Sequence, residues 1–211
     1  MKLWLNKIRE PKKMQISKKI VNSLLILIIG IALGIFSKWL DNLSINDAIW
    51  WQRIVGVLDL RNIFSDFGIW IFIAVLISVF SATPFRASLN VFLFFIGMTI
   101  SYHLYTILFC GFNPNSYMMI WYTITLISPI LAFICWYAKG NGKLSIIISS
   151  WILAVMLLFS FSIGMWYFYF KSIVDTLLFV GIIIVIYNNY RNSICSLIGA
   201  LVMAYTIRLF I

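Results

Sequence analysis

Charge is what this sequence has least of. Only 10% of its 211 residues are Asp, Glu, Lys or Arg, against roughly 25% in a soluble domain. So few charges cannot coat a water-facing surface, and the medium around most of the chain must be lipid. Acids are the scarcer sign, with 6 Asp and Glu against 16 Lys and Arg and a net charge of +10. In a soluble protein that imbalance would point to nucleic acid. Here the basic residues sit between apolar runs, so they read as topology signals and contacts to anionic lipid. No nucleic-acid partner is expected.

Histidine occurs once, as His103. The three cysteines, Cys110, Cys135 and Cys195, are odd in number and form no CxxC. No disulfide framework or zinc site follows, and they read as small apolar side chains. The sequence also lacks HExxH, a Ser-His-Asp or His-Cys set with plausible partners, a paired intramembrane carboxylate and a phosphate loop. Hydrolysis inside a membrane needs a nucleophile with a base, or a metal. The expectation is therefore no catalytic residue, no metal and no cofactor.

What is present is hydrophobic: 63% of residues are apolar and 18% aromatic. About 20 apolar residues cross the hydrocarbon core at about 1.5 Å each. The pattern predicts an all-α, polytopic transmembrane helix bundle of about seven spans, six if one short segment is re-entrant. The spans fall near residues 20–40, 67–82, 88–109, 117–137, 144–163, 172–187 and 194–211. Residues 1–19 read as a basic, solvated cytoplasmic tail, and 20–211 as one transmembrane domain. Leu3, Trp4, Leu5 and Ile8 offer a weaker alternative, a segment lying in the membrane interface. An uncleaved first span is preferred to a signal peptide, because no clean small-x-small site precedes Lys38.

The one long connection, 41–66, holds a helical pattern from Ala48 to Leu58, with Trp50, Trp51 and Ile54 on its apolar side. It is too short to span, so residues 44–60 read as an amphipathic helix in the outer interface. Its aspartates alternate with basic residues, which favours a self-neutralised loop over a cation site. The aromatic run from Trp166 to Phe170 reads as an interfacial belt.

The predicted orientation is amino terminus inside. Segments 1–19, 83–88, 138–143 and 188–193 then hold 11 of the 16 Lys and Arg, and five of the six acids lie outside. The short outer turn, 110–116, has no basic residue. This satisfies the positive-inside rule.

Several residues stand out within the spans. Gly30 and Gly34 lie one turn apart, with Ser23 and Ser37 on the same side. Such spacing lets helices approach closely, and internal packing is preferred to homodimerisation. Ser196, Ala200 and Ala204 make a similar stripe in the last span. The third span carries Asn90, Gly97, Ser101 and Tyr105 on one stripe and Thr99, His103, Thr106 and Cys110 on another. Polar side chains in a span face protein or water, so this span reads as central. Asn90, Ser101, His103 and Tyr105 are the candidate ligand-binding set, although a histidine hydrogen-bonded to a neighbouring helix is the simpler reading. Arg86 reads as a topology anchor, and Asp175 as a helix cap.

The stretch 62–106 carries Asn62-Ile63-Phe64-Ser65, Gly68-Ile69-Trp70, Ser81-x-x-Pro84-x-Arg86-Ala87, Asn90-Val91-Phe92, Gly97-Met98 and Ser101-Tyr102-x-x-Tyr105-Thr106. It resembles a family of uncharacterised small bacterial multi-spanning membrane proteins. The resemblance covers about a fifth of the chain. It implies a bacterial plasma membrane, in keeping with the many Ile, Lys and Asn residues, and gives no residue a role.

Two functions of different class remain open. One is a non-enzymatic accessory or structural component that works by helix packing, with a membrane-protein partner or a second copy. The other is a transporter or substrate-binding membrane subunit with a small-molecule pocket between the first, third and seventh spans, covered by 44–60.

Overall fold

In the computed structural model, residues 6–164 and 166–210 are described. Leu3, Trp4 and Leu5, of the weaker interfacial alternative, lie outside them. The elements are α1 (Ile16–Asp41), α2 (Trp50–Val57), α3 (Leu60–Ser65), α4 (Phe67–Phe80), α5 (Pro84–Cys110) and α6 (Asn115–Cys135). A 3-10 turn (Trp136–Lys139) leads to α7 (Lys143–Ser160), β1 (Phe161–Ile163), β2 (Phe168–Phe170), α8 (Ile173–Ile186) and α9 (Tyr190–Phe210). Among the described residues, five helices are long and apolar enough to cross a membrane: α1, α5, α6 with its 3-10 turn, α7 and α9. The chain is a helical membrane protein. Shorter apolar helices, α4 and α8, have 14 residues each, or about 21 Å of rise.

The bundle has two halves joined by α4. One core gathers Trp70, Phe94, Met98, Met118 and Trp121 from α4, α5 and α6, with α1 against α5. The other gathers side chains of α7, α8 and α9 with Val75 and Val79 of α4. So α4, rather than the polar third span, touches both halves, packing on α5, α6, α7 and α8. A helix apolar all round suits that place.

Local chemistry sets the boundaries. The third span starts at Pro84, earlier than expected, because Thr83 caps it by accepting from the Arg86 N–H at 3.1 Å. Proline at the first helical position loses no intrahelical bond. Within α6, Pro129 leaves the Thr125 carbonyl without its backbone donor, and the Ser128 hydroxyl donates to it instead at 2.8 Å. Ser172 caps α8: its Oγ accepts from the Asp175 N–H at 3.0 Å and donates to the Asp175 carboxylate at 2.8 Å. Asp175 thus braces the cap from the third helical position.

Three expectations need correction. The helix expected over 144–163 ends at Ser160, and the aromatic run beyond it forms an antiparallel hairpin with Phe161 opposite Phe170. Aromatic residues favour a pleated surface, and Phe161 packs on Phe168, Phe170 and Phe179. The 44–60 segment is not one helix. The chain turns at Asp59, which takes a left-handed backbone (φ 52) that Asp tolerates better than most residues. In α2 the exposed side carries Trp50 and Val57, and polar Gln52 turns inward to accept from the Asn46 N–H at 2.7 Å.

The third correction concerns residues 1–19, whose described part is not a free solvated tail. Ile8 is buried. Its carbonyl accepts from Asn141 N–H at 2.7 Å, and Lys12 N–H donates to the Ala82 carbonyl at 2.8 Å. The segment lies across one end of the bundle, called here the basic face.

Candidate functional site

The face of α5 toward α1 is built from small and polar side chains. A Cβ placed on Gly30 would run into the Phe94 carbonyl, and one on Gly34 into the Met98 carbonyl and Ser101 Oγ. From the other side, a Cβ on Gly97 would come within 2.8 Å of the Leu27 carbonyl. All three glycines therefore face one seam, where two backbones nearly touch. The Ser101 hydroxyl lies in that seam and reaches the Ile31 carbonyl at 3.0 Å and the Met98 carbonyl at 3.1 Å.

Toward the basic face the seam becomes a polar chain. Arg86 Nη2 donates to the Lys19 carbonyl and, at 2.6 Å, to Ser23 Oγ. Ser23 donates to Asn90 Oδ1 at 2.7 Å, Asn90 Nδ2 to Ser81 Oγ at 3.2 Å, and Ser81 to the Ile77 carbonyl at 2.8 Å. This chain ties α1 and α5 to the end of α4. Arg86 is thus an interhelical clamp.

His103 lies 200° round the helix from Ser101 and faces α6. Its Nδ1 is 2.7 Å from Tyr122 Oη, and its Nε2 is 2.7 Å from Asn113 Oδ1. An amide oxygen only accepts, so the proton belongs on Nε2 and Tyr122 donates to Nδ1. Tyr105 packs on Phe109 with ring centroids 4.7 Å apart. Asn90, Ser101, His103 and Tyr105 therefore do not converge on a common cavity. The expected pocket between the first, third and seventh spans also fails on position, because α9 packs against α7. Its Ser196, Ala200 and Ala204 are buried there.

A polar centre at the far end escaped the sequence reading. Tyr102 Oη donates to Asp41 Oδ2 at 2.7 Å, Ser65 to Asp41 Oδ1 at 2.9 Å, and Arg61 to the Asp41 carbonyl at 3.1 Å. Lys38 lies 3.8 Å from the same carboxylate, with its ammonium 5.3 Å from the Tyr102 ring centroid. Asp41 thus joins α1, α3 and α5. The signal available was Lys38 and Asp41 at i, i+3 where the first span ends. The other aspartates of this region act separately: Asp59 accepts from Asn62, and Asp66 from the Phe67 N–H.

At the basic face, Arg9 donates to the Trp136 carbonyl at 2.5 Å and to the Val79 carbonyl at 2.7 Å, with its guanidinium 4.3 Å from the Trp136 ring centroid. It reaches the Val79 carbonyl in the last turn of α4 and the Trp136 carbonyl in the 3-10 turn after α6. Burial pushes its pKa down from the ordinary arginine value.

Between α6 and α7, with α4 and α5 behind them, lies an apolar crevice of about 420 Å³. Leu131, Ile134 and Trp151 stand exposed at its rim, and Val91, Phe95 and Ala132 are buried in its wall. Ser78 and Ser128 also line it, but their hydroxyls are turned to the backbone carbonyls of Ala74 and Thr125. Among the described residues, every buried side-chain nitrogen and oxygen has a hydrogen-bond partner. Among the same residues, no three His, Cys, Asp or Glu side chains gather where they could hold a metal ion. No protein-family model, curated protein or solved structure matches this chain.

Proposed function

We propose that this chain is a non-enzymatic accessory or structural protein of a bacterial plasma membrane, acting through its packed helices on another membrane protein. It crosses the bilayer seven times with the basic face in the cytoplasm. The observation that carries this reading is the use made of the buried polar side chains. Each is bonded within the bundle, and the polar residues of α5 fasten that helix to α1, α4 and α6. Side chains so engaged hold a shape and leave little to grip a hydrophilic substrate.

Seven crossings are favoured by the contacts of the two short helices. α4 begins beside Phe64, whose carbonyl the Trp70 indole reaches at 3.0 Å, and ends at Arg9 on the opposite face. α8 begins near Lys171 and ends where Lys139 donates to the Val185 carbonyl. Both therefore run between the same two faces as the long helices. The excess of Lys and Arg on the amino-terminal face supports the orientation. The bacterial placement rests on the resemblance over residues 62–106.

The glycine and alanine stripes are used inside the bundle, so a partner would meet another surface. Ile20, Leu24 and Ile28 of α1 are exposed and recur every four residues along one side of that helix. Extraction from the native membrane in mild detergent, followed by native mass spectrometry, tests the proposal. A stoichiometric partner lost on replacing Leu24 and Ile28 with Ala is expected. A lone chain under every extraction condition would overturn it.

A further inference from the structure

The crevice between α6 and α7 has a length, a lining and a charged end that fit one kind of ligand. Along α6 it runs from Ile124 to Cys135, eleven residues and so about 16 Å of helix. One leaflet of a hydrocarbon core is about 15 Å deep, half of its roughly 30 Å. A crossing helix would need the full thickness, about twice this length. Its volume falls in the range of small-ligand sites.

The crevice lies in the half of the bundle nearer the basic face. Cys135 and Ser78 line it, and the next residues in sequence, Trp136 and Val79, give the two carbonyls that Arg9 holds. Arg9 is thus held one residue beyond the lining at that end. The turn joining α6 to α7 crosses the same end and delivers Lys143, exposed at the start of α7. Trp151, at the crevice rim, is eight residues on, about 80° round the helix, and Ile147 is about 40° round. Lys143 thus sits on the lipid side of α7, below the opening. The acid of the amino-terminal segment, Glu10, is exposed.

We propose that this crevice binds an anionic phospholipid from the leaflet at the basic face, with one acyl chain between α6 and α7 and the phosphate against Lys143 and the edge of the Arg9 guanidinium. Arg9 uses two of its five N–H groups on carbonyls, so donors remain for a phosphate oxygen. This site does not depend on the accessory reading above and holds whichever way the chain lies in the membrane.

The test uses the full-length protein, delipidated in detergent, with phosphatidylglycerol and phosphatidylcholine of identical chains as probes. Native mass spectrometry should show phosphatidylglycerol bound about fivefold more tightly per engaged cation. Lys143→Gln, on an exposed residue, should bring the two lipids closer to parity while chain binding persists. In the unaltered protein, phosphatidylglycerol with a photoreactive group midway along its chain should label peptides within 124–135 and 148–155. Equal affinity for the two lipids would overturn the headgroup assignment. Labelling confined to α1 or α9, or a co-purifying protein that abolishes the labelling, would overturn the crevice as the lipid site.

Discussion

Two seams of small residues hold this bundle, and they differ in what the small residues meet. In the α1–α5 seam, Gly30, Gly34 and Gly97 lie against main-chain carbonyls of Phe94, Met98 and Leu27. A helix carbonyl cannot move without breaking its helix, so this seam has no slack. In the α7–α9 seam, Ser196, Ala200 and Ala204 are buried side chains, and a Cβ on Gly199 would meet the hydroxyl and Cβ of Ser150. A hydroxyl can turn to another rotamer. The first seam also carries the chain from Arg86 through Ser23 and Asn90 to Ser81. One cross-seam polar contact of the second is long, Ser196 to the Ile146 carbonyl at 3.4 Å. Similar spacing in sequence thus gives one rigid, polar joint and one more forgiving, apolar joint.

The largest effect should come from Gly34→Leu. Its side chain must displace the Met98 carbonyl and the Ser101 hydroxyl together, so the cost should exceed the usual 1–3 kcal/mol of overpacking, at about 3 kcal/mol or more. Thermal unfolding in detergent, followed by the fluorescence of the Trp70 and Trp121 cluster, would measure it. A variant as stable as the parent would show that α1 and α5 do not meet at this register.

Asn90→Ala should come next. It leaves Ser23 and Ser81 without their shared partner, at a cost of about 1–3 kcal/mol. Combining it with Ser23→Ala should cost less than the sum of the two, because paired groups in one network do not add. Strict additivity in that double-mutant cycle would argue against the chain of bonds.

Gly199→Ala should be the mildest, at about 1 kcal/mol. Adding Ser150→Ala should recover part of the loss by removing the hydroxyl in the way. If Gly199→Ala proves as damaging as a change at Gly34, the two seams are equally tight and the contrast fails.

Much of the rigid seam was legible in the sequence. Gly30 and Gly34 with Ser23, and Asn90, Gly97 and Ser101 at helical spacing, each mark one face of one helix. What spacing cannot give is the element that face meets, since that depends on contacts across the chain. Spacing alone therefore allows the last helix beside the first and third spans, whereas it packs on α7. Beyond the Lys38 and Asp41 pair, the Asp41 centre is illegible because its members come from α1, α3 and α5, with Tyr102 61 residues from Asp41. The docked amino-terminal segment was hidden by its own charges. Arg9 reads as part of a solvated basic run, and only its contacts with the Val79 and Trp136 carbonyls and the Trp136 ring explain its burial. The hairpin after α7 was lost because an aromatic run at a membrane surface looks alike as belt or strand.

The central claim is that the polar residues of α5 hold helices together and do not line a water-filled path. The most direct measurement is thiol accessibility in a background with Cys110, Cys135 and Cys195 replaced by Ser. Single variants Asn90→Cys, Ser101→Cys and, as an exposed control, Asn141→Cys would be treated with a membrane-impermeant maleimide in opened membranes. Prompt labelling is expected at 141, and none at 90 or 101 until the protein is denatured. Labelling at 90 and 101 as fast as at 141 would contradict the claim and return those residues to a solvent-filled site.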